Sequence, residues 1–324
     1  MIKHQVIKDN YSLYESDCMY VLPIFPDKSI DLSVYSPPFA GLYNYSSSEN
    51  DFSNCESREQ FLEQYDFLIA EIARVTKPGR ISAVYVCDIH EKDGSLWEFP
   101  HEVIELHKKH GFKLYNRITI WKEPLKVRMR TMVRSLMHKL IVEDSTECFT
   151  AQPDYVLIFK KQGVNEVPVT HPFGLFEYAG ENPLLPFMVE KYGTLEYLQK
   201  TYKNWDDPKT NKLSHIIWQR YASSVWDDIR IDNVLKFKDS KDEDDEKHVH
   251  PLQLDVIDRI VELYSNPGEV VLTPFAGVGS EVYSPVSMGR KAIGIELKSS
   301  YFKQMVKNMA TCEVRYTQRL KSIF

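Results

Sequence analysis

Between Glu269 and Glu296 the chain carries a complete strand, turn, helix and strand unit. Glu269 to Thr273 is a short apolar strand, Pro274 to Ser280 a glycine-bearing turn that enters a helix, and Ala292 to Ile295 a second strand. Two strands joined through a helix come back side by side in the same direction. Parallel strands need helices on both faces, so this one unit points to an α/β fold. Gly277 and Gly279 let the backbone approach a ligand, and the amides of the helix N-terminus can meet a carboxylate or phosphate. Glu296 follows Gly277 by 19 residues, near the spacing at which an acid reaches ribose hydroxyls. Two glycines in place of three suit a nucleoside cofactor better than a dinucleotide with its pyrophosphate.

A second motif lies near the other end. The apolar run Ile30 to Tyr35 has strand character and leads into Ser36-Pro37-Pro38-Phe39. Two prolines fix two φ angles and remove two donors, which leaves nearby carbonyls free to accept from a ligand. Such a turn suits a planar base whose exocyclic amine is to become nucleophilic. If the Ser36 hydroxyl and the Pro37 carbonyl each accept one amine proton, the nitrogen is drawn toward tetrahedral geometry and its lone pair is freed. Phe39 is then placed to stack on the extruded ring. Taken alone, a Pro-Pro pair is more often a plain surface turn.

Together the two motifs resemble the amino-group-specific DNA methyltransferases that use S-adenosylmethionine. Their catalytic motif, Asp/Asn/Ser-Pro-Pro-Phe/Tyr, is matched by Ser36, Pro37, Pro38 and Phe39. Their cofactor loop, Asp-Pro-Phe-x-Gly-x-Gly, is matched from Thr273 through Pro274, Phe275 and Gly277 to Gly279, with Thr273 standing where the family has Asp. The order of the motifs is that of the family's β group. The resemblance covers most of the chain but is thin from about residue 163 to 245. It implies a Rossmann-like, mainly parallel, seven-stranded sheet with an inserted target-recognition region. It also implies S-adenosylmethionine as cofactor, S-adenosylhomocysteine as product and no metal. The cofactor residues are then Asp17 at the adenine, His250 and Pro251 leading to the methionine moiety, the loop with Ser280, and Glu296. Leu254-Asp255 departs from the family's Lys-Pro.

The expected reaction is direct methyl transfer to the amine of a flipped base, without a covalent enzyme intermediate. No Pro-Cys dipeptide of the kind used for carbon-5 methylation occurs. Ser at the first motif position goes in the family most often with cytosine N4, and adenine N6 is the alternative. The partner implied is double-stranded DNA, and the resemblance leaves open a homodimer and a cognate restriction nuclease.

A net charge of −6 at first argues against a nucleic-acid partner. Its distribution is uneven. Residues 239–246 are an acidic run, whereas Lys122, Lys126, Arg128, Arg130, Arg134 and Lys139 face the single acid Glu123 between 122 and 139. Lys126, Arg128, Arg130 and Arg134 are the candidate DNA contacts, with Tyr43 and Tyr45 from the Tyr/Ser/Asn-rich stretch 41–54; an ordinary solvated face is the plainer reading of the stripe. Five dispersed cysteines, Cys18, Cys55, Cys87, Cys148 and Cys312, show no metal spacing and suggest reduced thiols. Neither a membrane span nor a signal peptide is indicated, so a cytoplasmic protein is expected, and the resemblance implies a prokaryotic or phage-encoded one.

Helical periodicity runs through residues 56–76, stopping at Lys77-Pro78-Gly79, and again through 101–110, 250–264 and from Ser300. Strands are expected at Arg80 to Cys87, Lys113 to Trp121 and Asp154 to Lys160. The resulting division is a catalytic half (1–162), a target-recognition insertion (163–247) rich in aromatics, and a cofactor-binding half (248–324). A packing subdomain is the other reading of the insertion. Two other classes compete: a nicotinamide-dependent oxidoreductase, which leaves Ser36 to Phe39 unexplained, and a DNA-binding protein without catalysis, suggested by Thr273.

Overall fold

The chain opens with a hairpin, β1 (His4–Ile7) and β2 (Tyr11–Glu15), followed by a short helix α1 (Cys18–Val21) capped by Asp17 and by strand β3 (Ile30–Tyr35). The computed structural model describes residues 1–38, 52–55, 57–91, 93–175, 177–201, 211–237, 240 and 251–314. Every residue of β3 is buried, as a parallel strand covered on both faces requires.

Helix α2 (Arg58–Val75) starts where the Ser57 hydroxyl accepts from the Gln60 amide at 3.2 Å. It buries the stripe Phe61, Tyr65, Leu68, Ile69 and Ile72. The helix stops at Val75, just before Lys77-Pro78-Gly79 as expected, but those three residues already lie inside strand β4 (Thr76–Val86), which begins ahead of the expected Arg80. The pairing with β3 jumps from Ile30 beside Thr76 to Leu32 beside Ile81, and Pro78 and the positive-φ Gly79 occupy that irregularity.

After the small hairpin of β5 (Ile89–His90) and β6 (Leu96–Trp97) come α3 (Phe99–Lys109) and β7 (Phe112–Ile120). An excursion with α4 (Pro124–Thr131) and α5 (His138–Glu143) leads to β8 (Asp154–Lys161). Helices α6 (Pro186–Tyr192), α7 (Leu195–Thr201) and α8 (Lys212–Tyr221) then precede a short edge strand β9 (Val225–Trp226). The chain closes with α9 (Leu254–Tyr264), β10 (Val270–Thr273), α10 (Ser280–Ser287), β11 (Lys291–Glu296) and α11 (Ser299–Ala310).

The main sheet has the order β1-β2-β11-β10-β3-β4-β8-β7-β9. Six of its seven inner strands are those the sequence marks; the seventh, β2, is not among the expected strands. β8 is antiparallel to both neighbours, and the edge strands β1 and β9 extend the sheet to nine. Successive side chains go to opposite faces. Leu32, Val34, Val156 and Ile158 pack with Val256, Ile257 and Ile260 of α9. Tyr35, Val84, Leu157 and Phe159 pack with α2 and α3. Residues 175–221 hold two small apolar clusters of their own, around Leu213 with Tyr221 and around Leu184 with Met188. Among the described residues no helix is long and apolar enough to cross a membrane.

Candidate active site

The two sequence motifs meet because β3 and β10 are neighbours. Leu32 and Ser33 lie beside Val271 and Leu272 in parallel register, so Ser36, Pro37 and Pro38 emerge next to the loop that begins at Pro274. From this pair the chain departs in opposite directions, β3 through α2 to β4 and β10 through α10 to β11. Such divergence opens a crevice at the carboxyl ends of the strands. Here it is a cleft of about 640 Å³ lined by Ser36 to Pro38 on one side and by Asp17, Pro274 to Gly277, Ser280 and Glu296 on the other.

The glycine loop is held from β11. The Gly277 amide donates to Glu296 Oε2 at 2.7 Å, the Lys298 amide to Oε1 at 2.8 Å, and the Ala276 amide to the Ile295 carbonyl at 2.8 Å. The 19-residue spacing therefore has a local structural meaning: Glu296 braces the loop from the neighbouring strand. Gly277 and Gly279 both have positive φ, +52° and +96°, but for different surroundings. A Cβ on Gly277 meets open space, whereas one on Gly279 would lie 2.7 Å from Met305 Cγ of α11. Gly279 and the fully buried Thr273 stand behind the cleft wall and not on it.

Several polar atoms face this half of the cleft unpaired. Ser16 Oγ, Gln253 Oε1 and Ser280 Oγ are buried and without a hydrogen-bond partner among the described residues, and Thr273 Oγ1 shares that condition just behind them. Buried polar atoms are normally satisfied, so this half is fitted to a polar ligand. Asp17 caps α1 by accepting from the Met19 amide at 2.8 Å, and burial raises its carboxyl above the ordinary value. Glu281, the residue after Ser280, is pushed up to about 8 by burial and by the neighbouring charge of Glu296. It is a neutral acid at pH 7. Phe275 is fixed edge-on by Phe52 at 5.8 Å and tilted against Tyr35 at 6.1 Å.

The other half of the cleft holds a group that the sequence did not suggest. Tyr85 near the end of β4 donates to Asp154 Oδ2 at the start of β8, and Lys122, just past β7, donates to Asp154 Oδ1 at 2.5 Å. Three strands distant in sequence bring these side chains together, so no local pattern marks them. Cys87 lies against the same carboxylate; burial first, then Asp154, pushes its thiol up to about 12, which removes it as a nucleophile at neutral pH. Asp88 also faces the cleft, its carboxyl raised by burial and by Glu98.

Of the basic stripe, Lys126 and Arg130 reach the cleft, Arg128 is half-buried on α4, and Arg134 is exposed at the following helical turn. Lys122 pairs with Asp154, and Lys139 with Glu143. Pro251 lines the cleft. Phe39, Tyr43, Tyr45 and His250 lie outside the described residues.

Known proteins are similar to this chain. Type II methyltransferase M.BamHI of Bacillus amyloliquefaciens is 26% identical over 311 residues, covering 95% of this chain and 59% of its own length. The chain thus spans little more than half of that relative. DNA adenine methyltransferase YhdJ of Escherichia coli K12 is 24% identical, with 92% of this chain and 82% of the relative covered. Among solved structures, PvuII DNA methyltransferase (cytosine-N4-specific) aligns with a TM-score of 0.61 at 15% identity, covering 100% of this chain and 95% of that one. TTHA0409 of Thermus thermophilus, solved in complex with S-adenosyl-L-methionine, aligns with a TM-score of 0.57 at 20% identity, covering 94% and 96%. These last two likenesses concern the fold. Residues 30–307, which run from the first residue of β3 into α11 and so span both motifs and the sheet that joins them, match the N6_N4_Mtase family of DNA methylases, and the chain belongs to that family.

Proposed function

We propose that this protein methylates an exocyclic amine of a base flipped out of duplex DNA, with cytosine N4 as the target and S-adenosylmethionine as the methyl donor. The observation that carries the reading is the side-by-side exit of Ser36-Pro37-Pro38 and the Pro274 to Gly277 loop into one cleft. The unpaired Ser16, Gln253 and Ser280 atoms suit the polar periphery of a nucleoside amino acid. Asp17 and Glu296 are assigned to its adenine and ribose, Pro251 and His250 to the approach of the methionine moiety, and Ser280 with the first amides of α10 to its carboxylate. Bound there, S-adenosylmethionine supplies a sulfonium methyl, which passes to nitrogen as the electrons of the broken C–S bond return to sulfur.

The chain's own work is positional. The Ser36 hydroxyl and Pro37 carbonyl accept the two amine protons, which concentrates the lone pair on nitrogen, and these bonds strengthen as the nitrogen becomes tetrahedral and positively charged. One of those protons is then lost to water. The rigid Pro-Pro backbone holds both acceptors without a reorganisation cost at the moment of transfer. Because the thiol of the half-buried Cys87 is pushed well above neutral pH, a covalent route through it has no nucleophile.

Ser36 also has a proton to donate, and cytosine N3 lies next to the amine as its acceptor. Adenine N1 offers the same bond, and YhdJ bears adenine methylation in its name. Duplex DNA is assigned to Lys126, Arg128, Arg130 and Arg134, with residues 163–247 reading the target. The setting we infer is a prokaryotic cytoplasm. Incubation with labelled S-adenosylmethionine and mixed-sequence duplex DNA, followed by digestion to nucleosides and mass spectrometry, tests the assignment. N4-methylcytosine is expected; N6-methyladenine would overturn the choice of base.

A further inference from the structure

The cluster around Asp154 is more than a strut between strands. Asp154 is 7% exposed and stands beside Ile120, the last residue of β7, so its carboxylate lies under the point where Lys122 turns into the cleft. Tyr85 fixes the other carboxylate oxygen. Its strand runs beside β3 with Val84 next to Tyr35, so Tyr85 follows along the same line as Ser36. Tyr85, Lys122 and Asp154 all line the cleft that holds Ser36.

A Lys ammonium carries three donors. Among the described residues Asp154 is the one hydrogen-bonded acceptor of Lys122, whose side chain keeps 30% of its exposure. The charge of Lys122 is thus balanced by a buried carboxylate while donor capacity remains. An ammonium neutralised in this way is poorly suited to a phosphate, for which Lys126 and Arg130 are at hand in the same cleft. It is well suited to a neutral acceptor oxygen, since the remaining donors sit in a partly desolvated wall and can exchange water for a polar group that enters.

We propose that Lys122, oriented by Asp154 and Tyr85, donates to the ring carbonyl oxygen of the extruded pyrimidine and thereby selects cytosine over adenine. Beyond its amine cytosine presents two acceptors in succession, N3 and O2. Adenine presents N1 and then an apolar C2–H, so a donor directed past the Ser36 contact finds a partner on one base alone. Ser36 serves the amine, and Lys122 identifies the ring that bears it. The assignment rests on the methyltransferase reading above and adds a specificity residue to it.

The experiment uses the full-length protein and a duplex carrying the site mapped from the wild-type product, made with either cytosine or adenine at the methylated position. Single-turnover rates and S-adenosylmethionine affinity are measured for wild type, Lys122→Met, Lys122→Arg and the double variant Lys122→Met/Asp154→Asn. The double variant removes both charges, so it avoids leaving a lone buried carboxylate. Loss of a donor to the base is expected to slow cytosine methylation on the order of 10- to 100-fold. Adenine methylation and cofactor affinity should stay within about twofold, and Lys122→Arg should recover part of the cytosine rate. A purely structural pair would slow both bases alike; that result, or unchanged cytosine rates in both Met-containing variants, would overturn the assignment of Lys122 alone. A wild-type enzyme that yields no N4-methylcytosine would overturn both this assignment and the cytosine reading on which it rests.

Discussion

At the scale of single residues, the two glycines of the loop after β10 stand in different surroundings. Alanine at Gly277 must adopt a left-handed φ in open space, which costs about 1–2 kcal/mol. Alanine at Gly279 bears the same strain and also collides with Met305, so Gly279→Ala should lower the midpoint of chemical denaturation further than Gly277→Ala. Equal losses would show that α11 yields at no cost. Glu281 gives a prediction with a definite sign. Its folded value, about 8, lies above the ordinary carboxylate value, so the stability it contributes is present below about 4.5 and is lost as pH rises through 8. Glu281→Gln should therefore lose less thermal stability between pH 6 and pH 9 than wild type does, as followed by calorimetry. The acid was invisible in the sequence because its character comes from burial beside Glu296, not from a motif.

At the scale of elements, α9 shows how the segment between β8 and α9 is tied to the sheet. Arg259 is fully buried on this helix, bonded to Asp228 Oδ1 at 2.9 Å and to the Ala179 carbonyl at 2.6 Å, with Tyr178, Tyr221 and Trp226 packed 4.9–5.0 Å from its guanidinium carbon. Removing one partner leaves an uncompensated buried charge, so Asp228→Ala should cost about 3–5 kcal/mol in urea denaturation. A loss below about 1 kcal/mol would mean that the Ala179 carbonyl and the aromatic cage satisfy Arg259 without Asp228. Helix α4 makes a different prediction. If Arg128 and Arg130 neutralise phosphates, replacing both by alanine lowers the log–log salt slope of DNA binding by about 2, and an unchanged slope removes α4 from the interface.

The elements also show where reading the sequence succeeds. The helices α2, α9 and α11 and the strands β3, β10 and β11 follow from periodicity and turn residues, because their buried faces repeat at fixed spacing. Lys77-Pro78-Gly79 correctly marks the end of α2, but β4 starts before it and not at Arg80, because an irregularity beside β3 absorbs the proline and the glycine. The pairings of Lys122 with Asp154 and of Arg259 with Asp228 were illegible for a simpler reason: they join residues from separate elements, and only the folded sheet makes them neighbours.

At the scale of the molecule, the sheet order places Ser36-Pro37-Pro38 and the Pro274 to Gly277 loop, near opposite ends of the sequence, at one switch point. The core that supports them contains a pH-sensitive group. His107 is fully buried, stacked on Phe159 at 3.8 Å, and burial lowers it to about 3. The unfolded chain takes up a proton near pH 6.5 and the folded one does not, so stability is complete above about 6.5 and declines toward 3, by up to about 1.4 kcal/mol per pH unit from this group. His107→Leu should flatten the melting temperature between pH 7 and pH 5 relative to wild type; a parallel decline would assign acid sensitivity to other groups.

The division of labour within the cleft is the central claim: one half holds the cofactor and the other activates the base. It is tested most directly by measuring methyl transfer from labelled S-adenosylmethionine to duplex DNA for wild type and Ser36→Ala, with cofactor affinity determined calorimetrically on the same preparations. The account predicts a transfer rate reduced at least about 100-fold with an affinity within about twofold, since Ser36 acts on the base alone. Transfer by Ser36→Ala at the wild-type rate, or a rate lost only in proportion to cofactor binding, would contradict it.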